Sequence, residues 1–192
     1  MIFKDNRWLR LGVLTRLVER STCKLGRTAV MKLAFLLQVV KGVPLDYNFR
    51  LYTYGPFDVD VLTDLAQAES LKAVESSMVQ FNGGYGYEFS RGSDWEAVIA
   101  LAGPELATYD DEIGWALREF ASKTAGDLEL LATIVYADRD ALRQSQRLPF
   151  TELCRQVKAI KPRFADEYIL KNIASLSEMG LLLATVSNGS PA

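Results

Sequence analysis

The residues whose types and spacing suggest chemistry are Arg20, Lys24, Arg27, Thr28, Met31 and Lys32. They form one face in which residues 27–40 would be a recognition helix, with Arg20 and Lys24 ahead of it. There Arg27 could take a guanine edge in bidentate fashion while Arg20 and Lys24 meet phosphates. Tyr85, at the tip of an expected hairpin, could stack on a base. The competing reading is a solvated basic face that keeps the chain soluble. The hairpin counts against DNA, because a phosphate-contacting wing usually offers Lys or Arg, and Arg91 at its base is the nearest.

Catalytic groupings are missing. The chain has no histidine, which removes the commonest general base and the commonest metal ligand. Its two cysteines, Cys23 and Cys154, are far apart and form no metal-binding pair. Asp58, Asp60 and Asp64, and the run Asp110-Asp111-Glu112, fall at or near expected helix starts, where the dipole favours carboxylates without any metal. Asn82-Gly83-Gly84-Tyr85-Gly86 lacks the lysine and the Ser/Thr of a phosphate-binding loop and reads as a turn. The expectation is therefore no catalytic residue, no metal site and no cofactor.

Net charge is −2, but it is unevenly spread. Residues 1–50 hold ten basic side chains against three acidic ones, so the remainder is strongly acidic. A basic end on an acidic chain could meet a polyanion, or could pair with the acidic half of a second copy. No stretch approaches the ~20 apolar residues needed to cross a bilayer. The N-terminus lacks a signal-peptide pattern. With two unpaired cysteines as well, the expected setting is cytoplasmic.

These side chains must be positioned by a chain of 192 residues that reads as mainly α with a small β-hairpin. The apolar spacing predicts a helix over 5–20, a loop to Gly26, and a helix whose buried stripe is Val30, Leu33, Ala34, Leu37 and Val40, closed by Gly42. A short aromatic strand, Phe49 to Tyr54, is expected to turn at Gly55-Pro56 into a helix from Phe57 to about Glu69. Most of its aromatic residues, Phe49, Tyr54 and Phe57 among them, are expected in the core. A hairpin follows, with Met78–Phe81 and Tyr85–Phe89 flanking Asn82-Gly83-Gly84. Ser93-Asp94-Trp95-Glu96 has capping-box spacing before a short helix.

Helix, loop, helix, strand, helix, hairpin is close to a winged helix-turn-helix order. The expectation is a winged-helix-like N-terminal half, residues 1–102, followed by a helical C-terminal half, 103–185, packed on it as one compact body. Gly103-Pro104 is the expected boundary, and 186–192 a flexible tail. Helices are expected near 108–122, 125–137, 150–160 and 165–179, with a short strand at Leu181–Leu183.

Lys32-Leu33-Ala34-Phe35-Leu36-Leu37-Gln38, Gly42-Val43-Pro44-Leu45 and Phe49-Arg50-Leu51-Tyr52-Thr53-Tyr54-Gly55-Pro56-Phe57 resemble the YwgA-like bacterial and archaeal proteins. More distantly they are similar to the Panacea domain of SocA-type antitoxins, through the leucine-rich helix and the Tyr-Gly-Pro turn. Leu128 to Tyr136 and Lys161-Pro162-Arg163-Phe164 fit the former group as well, although Ala165 stands where its last helix tends to open with Ser or Thr. The resemblance implies a binding module and carries no catalytic signature. It leaves the choice of ligand open.

Two expectations follow. The first is a non-enzymatic winged-helix-type protein contacting double-stranded DNA through the basic helix. The alternative is a protein-interaction module, antitoxin or adaptor, that binds a protein partner through the acidic helical half. A homodimer is left open.

Overall fold

The computed structural model describes residues 6–81 and 84–186. Its element order is α1 (Arg7–Arg20), β1 (Leu25–Gly26), α2 (Arg27–Lys41), β2 (Arg50–Tyr52), β3 (Gly55–Phe57), α3 (Val59–Ser70), β4 (Val74–Phe81), β5 (Gly84–Arg91), α4 (Trp95–Ala107), α5 (Asp110–Phe120), α6 (Ala125–Arg143), β6 (Leu148–Pro149), α7 (Phe150–Ile160), α8 (Asp166–Glu178) and β7 (Thr185–Val186). The chain is mainly α with a small antiparallel hairpin sheet, as its periodicity implies. It divides into two units, one formed by Met1–Arg50 with Phe57–Leu128, the other by Leu51–Pro56 with Glu129–Ala192. The division falls inside α6. Gly103-Pro104, the expected boundary, is instead a kink within α4, where Gly103 takes φ 68° and ψ −165°.

In the first unit, α1 and α2 bring most of the core. Leu11, Val13, Leu14 and Leu17 of α1 are fully buried. Residues Val30 to Leu37 of α2 are buried without interruption. An amphipathic surface helix would bury one stripe; α2 is central, touched by α1, α3, α5 and β5, so its expected polar side is covered too. Gly42 ends it in the left-handed region and donates its backbone N–H to the Leu37 carbonyl.

The sheet order is β1-β5-β4, all antiparallel. Leu25 pairs with Phe89 and Gly26 with Glu88, which ties the start of α2 to β5. A Cβ on Gly26 would lie 3.1 Å from the Tyr87 carbonyl oxygen, so glycine allows this close approach. The hairpin runs further than expected, from Val74 to Arg91; its Asn82-Gly83 turn lies outside the described residues.

Two local expectations are corrected. The aromatic segment forms two short strands, β2 and β3, so Gly55-Pro56 starts a strand rather than a helix, and Tyr54 is 66% exposed instead of core. The helix begins later, with Asp58 as N-cap accepting from the Asp60 N–H at 2.9 Å. The capping box before α4 does not form either: Asp94 makes no cap bond and Ser93 Oγ donates to its side chain.

In the second unit α7 packs on α8, and β6 pairs in parallel with β7. The C-terminal strand therefore lies at Thr185–Val186 rather than 181–183, and residues 187–192, expected to be a tail, lie outside the described residues. Lys161 is 3% exposed; its Nζ donates to the Thr53 carbonyl at 2.6 Å and sits 3.6 Å from Glu129. Burial, reinforced by the nearby Arg163 cation, pushes the Lys161 ammonium below its ordinary pKa. Arg163 closes on the same carboxylate at 2.7 Å. The segments Tyr52–Pro56 and Lys161–Phe164, which carried part of the family resemblance, thus meet through one buried lysine.

Candidate nucleic-acid interface

The structure sorts the candidate residues of the sequence reading into three groups. Met31 and Lys32 are 3% and 2% exposed and belong to the interior of α2. They are removed from the candidate surface, because α2 is enclosed on the side where a recognition face was expected. Arg20 is held by Asp110: its Nη1 lies 3.3 Å from both the carboxylate and the carbonyl oxygen of that residue, and Arg16 approaches the same carboxylate at 3.6 Å. Lys24, Arg27 and the half-buried Thr28 remain at the surface, together with Tyr85, 67% exposed.

These four residues share one cavity of about 410 Å³, within the ~300–1,000 Å³ range of small-ligand sites. Tyr87 and Lys123 complete its polar wall. Tyr85, Tyr87 and Phe89 lie on one face of β5 by strand alternation. Phe89 is buried at 4% while the two tyrosines emerge, so the same face passes from core to solvent along the strand. The guanidinium of Arg27 stands 3.9 Å from the Tyr87 ring centroid, a cation–π contact that orients the charge without neutralising it. The first residues of α2, Arg27, Thr28 and Ala29, line the cavity floor. That helix has no acidic residue in its first turn and no side-chain cap, so its free N–H groups and positive dipole end add to the field.

A second cavity of about 200 Å³ is lined by Arg20, Thr22, Gly114, Leu117, Arg118 and Ala121. Ala121 lines both cavities, so they are neighbours on this surface. Among the described residues no carboxylate lines either, and Lys24, Arg27, Arg118 and Lys123 make no ion pair. Arg118 and Lys123 were not found from the sequence. Arg118 reads there as an ordinary cation at a helix C-terminus, and Lys123 as a turn residue far from Arg27 in the chain.

No family model matches this chain, and neither does any curated protein.

Elsewhere, Asp58, Asp64 and Asp110 have structural partners. Asp58 caps α3, and Asp64 takes Arg10 at 2.9 Å and the Tyr47 hydroxyl at 2.8 Å. Among the described residues no three His, Cys, Asp or Glu side chains come together as a metal site. No helix there is long and apolar enough to cross a membrane. Cys23 and Cys154 are both free.

α3 directly precedes the hairpin, the position from which a winged helix-turn-helix reads the major groove. It carries no basic residue; Asp60, Asp64 and Glu69 are its charges. The recognition role assigned to residues 27–40 therefore has no basic counterpart at the topologically equivalent place.

Proposed function

We propose that this chain is a nucleic-acid-binding protein that works without catalysis, and that its contact surface is the N-terminal end of α2 together with the β5 tyrosines. The observation that carries the reading is the convergence of Lys24, Arg27 and Lys123, none of them ion-paired among the described residues, with exposed Tyr85 and Tyr87 around one cavity that no described carboxylate lines. Unpaired cations release counterions from a phosphate backbone, and exposed aromatic faces stack on bases. A solvated face kept only for solubility needs neither the concavity nor the tyrosines. The YwgA-like resemblance supports a binding module, and the free thiols fit a reducing, cytoplasmic setting.

The test is a fluorescence-anisotropy titration of mixed-sequence oligonucleotides, duplex and single-stranded, at ~50 and ~200 mM salt. The expected result is binding that weakens by a decade or more between the two salts and that Lys24→Ala/Arg27→Ala loses. Absence of binding to every probe at low salt overturns the proposal and passes the chain to the protein-adaptor reading.

A further inference from the structure

We infer that the nucleic acid bound at this surface is an unpaired strand rather than a duplex; the inference rests on the nucleic-acid reading above and specifies its substrate. Three observations converge on it.

The aromatic faces come first. Tyr85 and Tyr87 sit two residues apart on one face of β5, about 7 Å along the strand. Tyr87 already holds Arg27 against its ring, while Tyr85 is two-thirds exposed. In a duplex the base faces are stacked on one another and a tyrosine ring finds none to cover. In a single strand every base offers one.

The charge pattern follows the same logic. The two neighbouring cavities share Ala121; one is lined by Arg20 and Arg118, the other by Lys24, Lys123 and Arg27. At the first of these a point above Gly114, where a side chain would begin, lies 3.0 Å from Arg118 Nη1 and 3.7 Å from Arg20 Nη2. The two guanidinium groups thus fill the space that a side chain at position 114 would need, and because Asp110 already pairs with Arg20, Arg118 is the cation that can meet a phosphate there. A backbone lying along these cavities would place a phosphate at Arg118 and a base at Tyr85.

Duplex reading is opposed at the groove. At the place from which a winged helix-turn-helix would read a major groove, α3 offers the exposed Asp60 and no basic side chain to offset it.

The experiment uses the full chain with a fluorescein-labelled oligothymidylate of about a dozen nucleotides, in the range of single-strand site sizes, and a mixed-sequence duplex of the same length. The expected result is single-strand affinity at least ~10-fold above duplex affinity. Tyr85→Ala should weaken it at least ~5-fold and Tyr85→Phe should leave it intact. Arg118→Ala should lower the salt slope by about 0.7. Both positions, Tyr85 and Arg118, are at the surface, so circular dichroism serves to verify an intact fold. Duplex bound as tightly as the single strand, or a Tyr85→Ala variant that binds normally, overturns this inference while the nucleic-acid reading stands. Failure of both probes overturns the two together.

Discussion

Arg27 and Tyr87 are held face to face, the guanidinium carbon 3.9 Å from the ring centroid, although fifty-nine residues of chain separate them. The contact exists because β1 pairs with β5 and delivers the first residue of α2 to that strand. It keeps a charge aimed over a cavity that would otherwise sample solvent, so part of the ordering entropy of a long side chain is lost before any ligand arrives.

Arg27→Lys separates charge from stacking. A lysine retains the counterion-release contribution but lacks the planar group that covers the ring. The expected outcome is affinity reduced about 3- to 10-fold with an unchanged salt slope, whereas Arg27→Ala also reduces the slope by about one unit on duplex or ~0.7 on a single strand. Titrations at four salt concentrations on one probe measure both. A lysine variant indistinguishable from wild type would mean that the stack does not organise the site.

Lys32→Ala distinguishes interior from surface. The side chain is 2% exposed within an unbroken buried run, and truncating a buried, partnered cation strands its partner and leaves a cavity. The variant should lose more than about 2 kcal/mol in urea denaturation. Its folded fraction should bind oligonucleotide with the wild-type salt slope. A fully stable variant that no longer binds would return Lys32 to the interface.

The sequence showed what repeats with a period and hid what depends on enclosure. The stripe Val30-Leu33-Ala34-Leu37 and the Gly42 cap were legible because each is a local pattern. The fate of Lys32 was not, since it is decided by α1, α3, α5 and β5 packing around α2, and one helix carries no record of how many sides are covered. Arg27 and Tyr85 could be named as candidates by residue type alone. Joining them to Arg118 and Lys123 required the β1–β5 pairing and the return of the α5–α6 turn. The β2–β3 hairpin was hidden because Tyr-Gly-Pro serves equally as a helix lead-in and as the start of a strand.

Asp138 secures the C-terminal strand. Its fully buried carboxylate accepts backbone N–H groups of Leu183, Ala184 and Thr185 at 2.8–3.0 Å, and the Thr185 hydroxyl at 2.6 Å. Hydrogen bonds to a charged group are worth ~1.5–3 kcal/mol each, and their loss leaves buried donors unsatisfied. Asp138→Ala should therefore destabilise the chain by about 3 kcal/mol or more and expose residues 181–186 to limited proteolysis. Asp138→Asn, which retains one acceptor, should fall between. Unchanged protease resistance in the alanine variant would contradict the assigned role.

Asp64 gives stability a signature in acid. Its carboxylate pairs with Arg10 at 2.9 Å and accepts from the Tyr47 hydroxyl; burial nevertheless raises its pKa above the ordinary 3.8, the Tyr47 hydrogen bond and Arg10 opposing only in part. Tyr47, buried beside that carboxylate, is pushed upward and stays a neutral donor. Because Asp64 takes up its proton more readily folded than unfolded, its contribution to stability is greatest below the unfolded value and is lost as pH rises through the folded one. Asp64→Asn cannot titrate and lacks this component. As pH falls from about 7 toward 4, the wild type should gain stability relative to the asparagine variant, read as a growing difference in urea midpoints at constant m-value. If that difference instead shrinks on acidification, the Arg10 pair outweighs burial and the pKa of Asp64 is depressed.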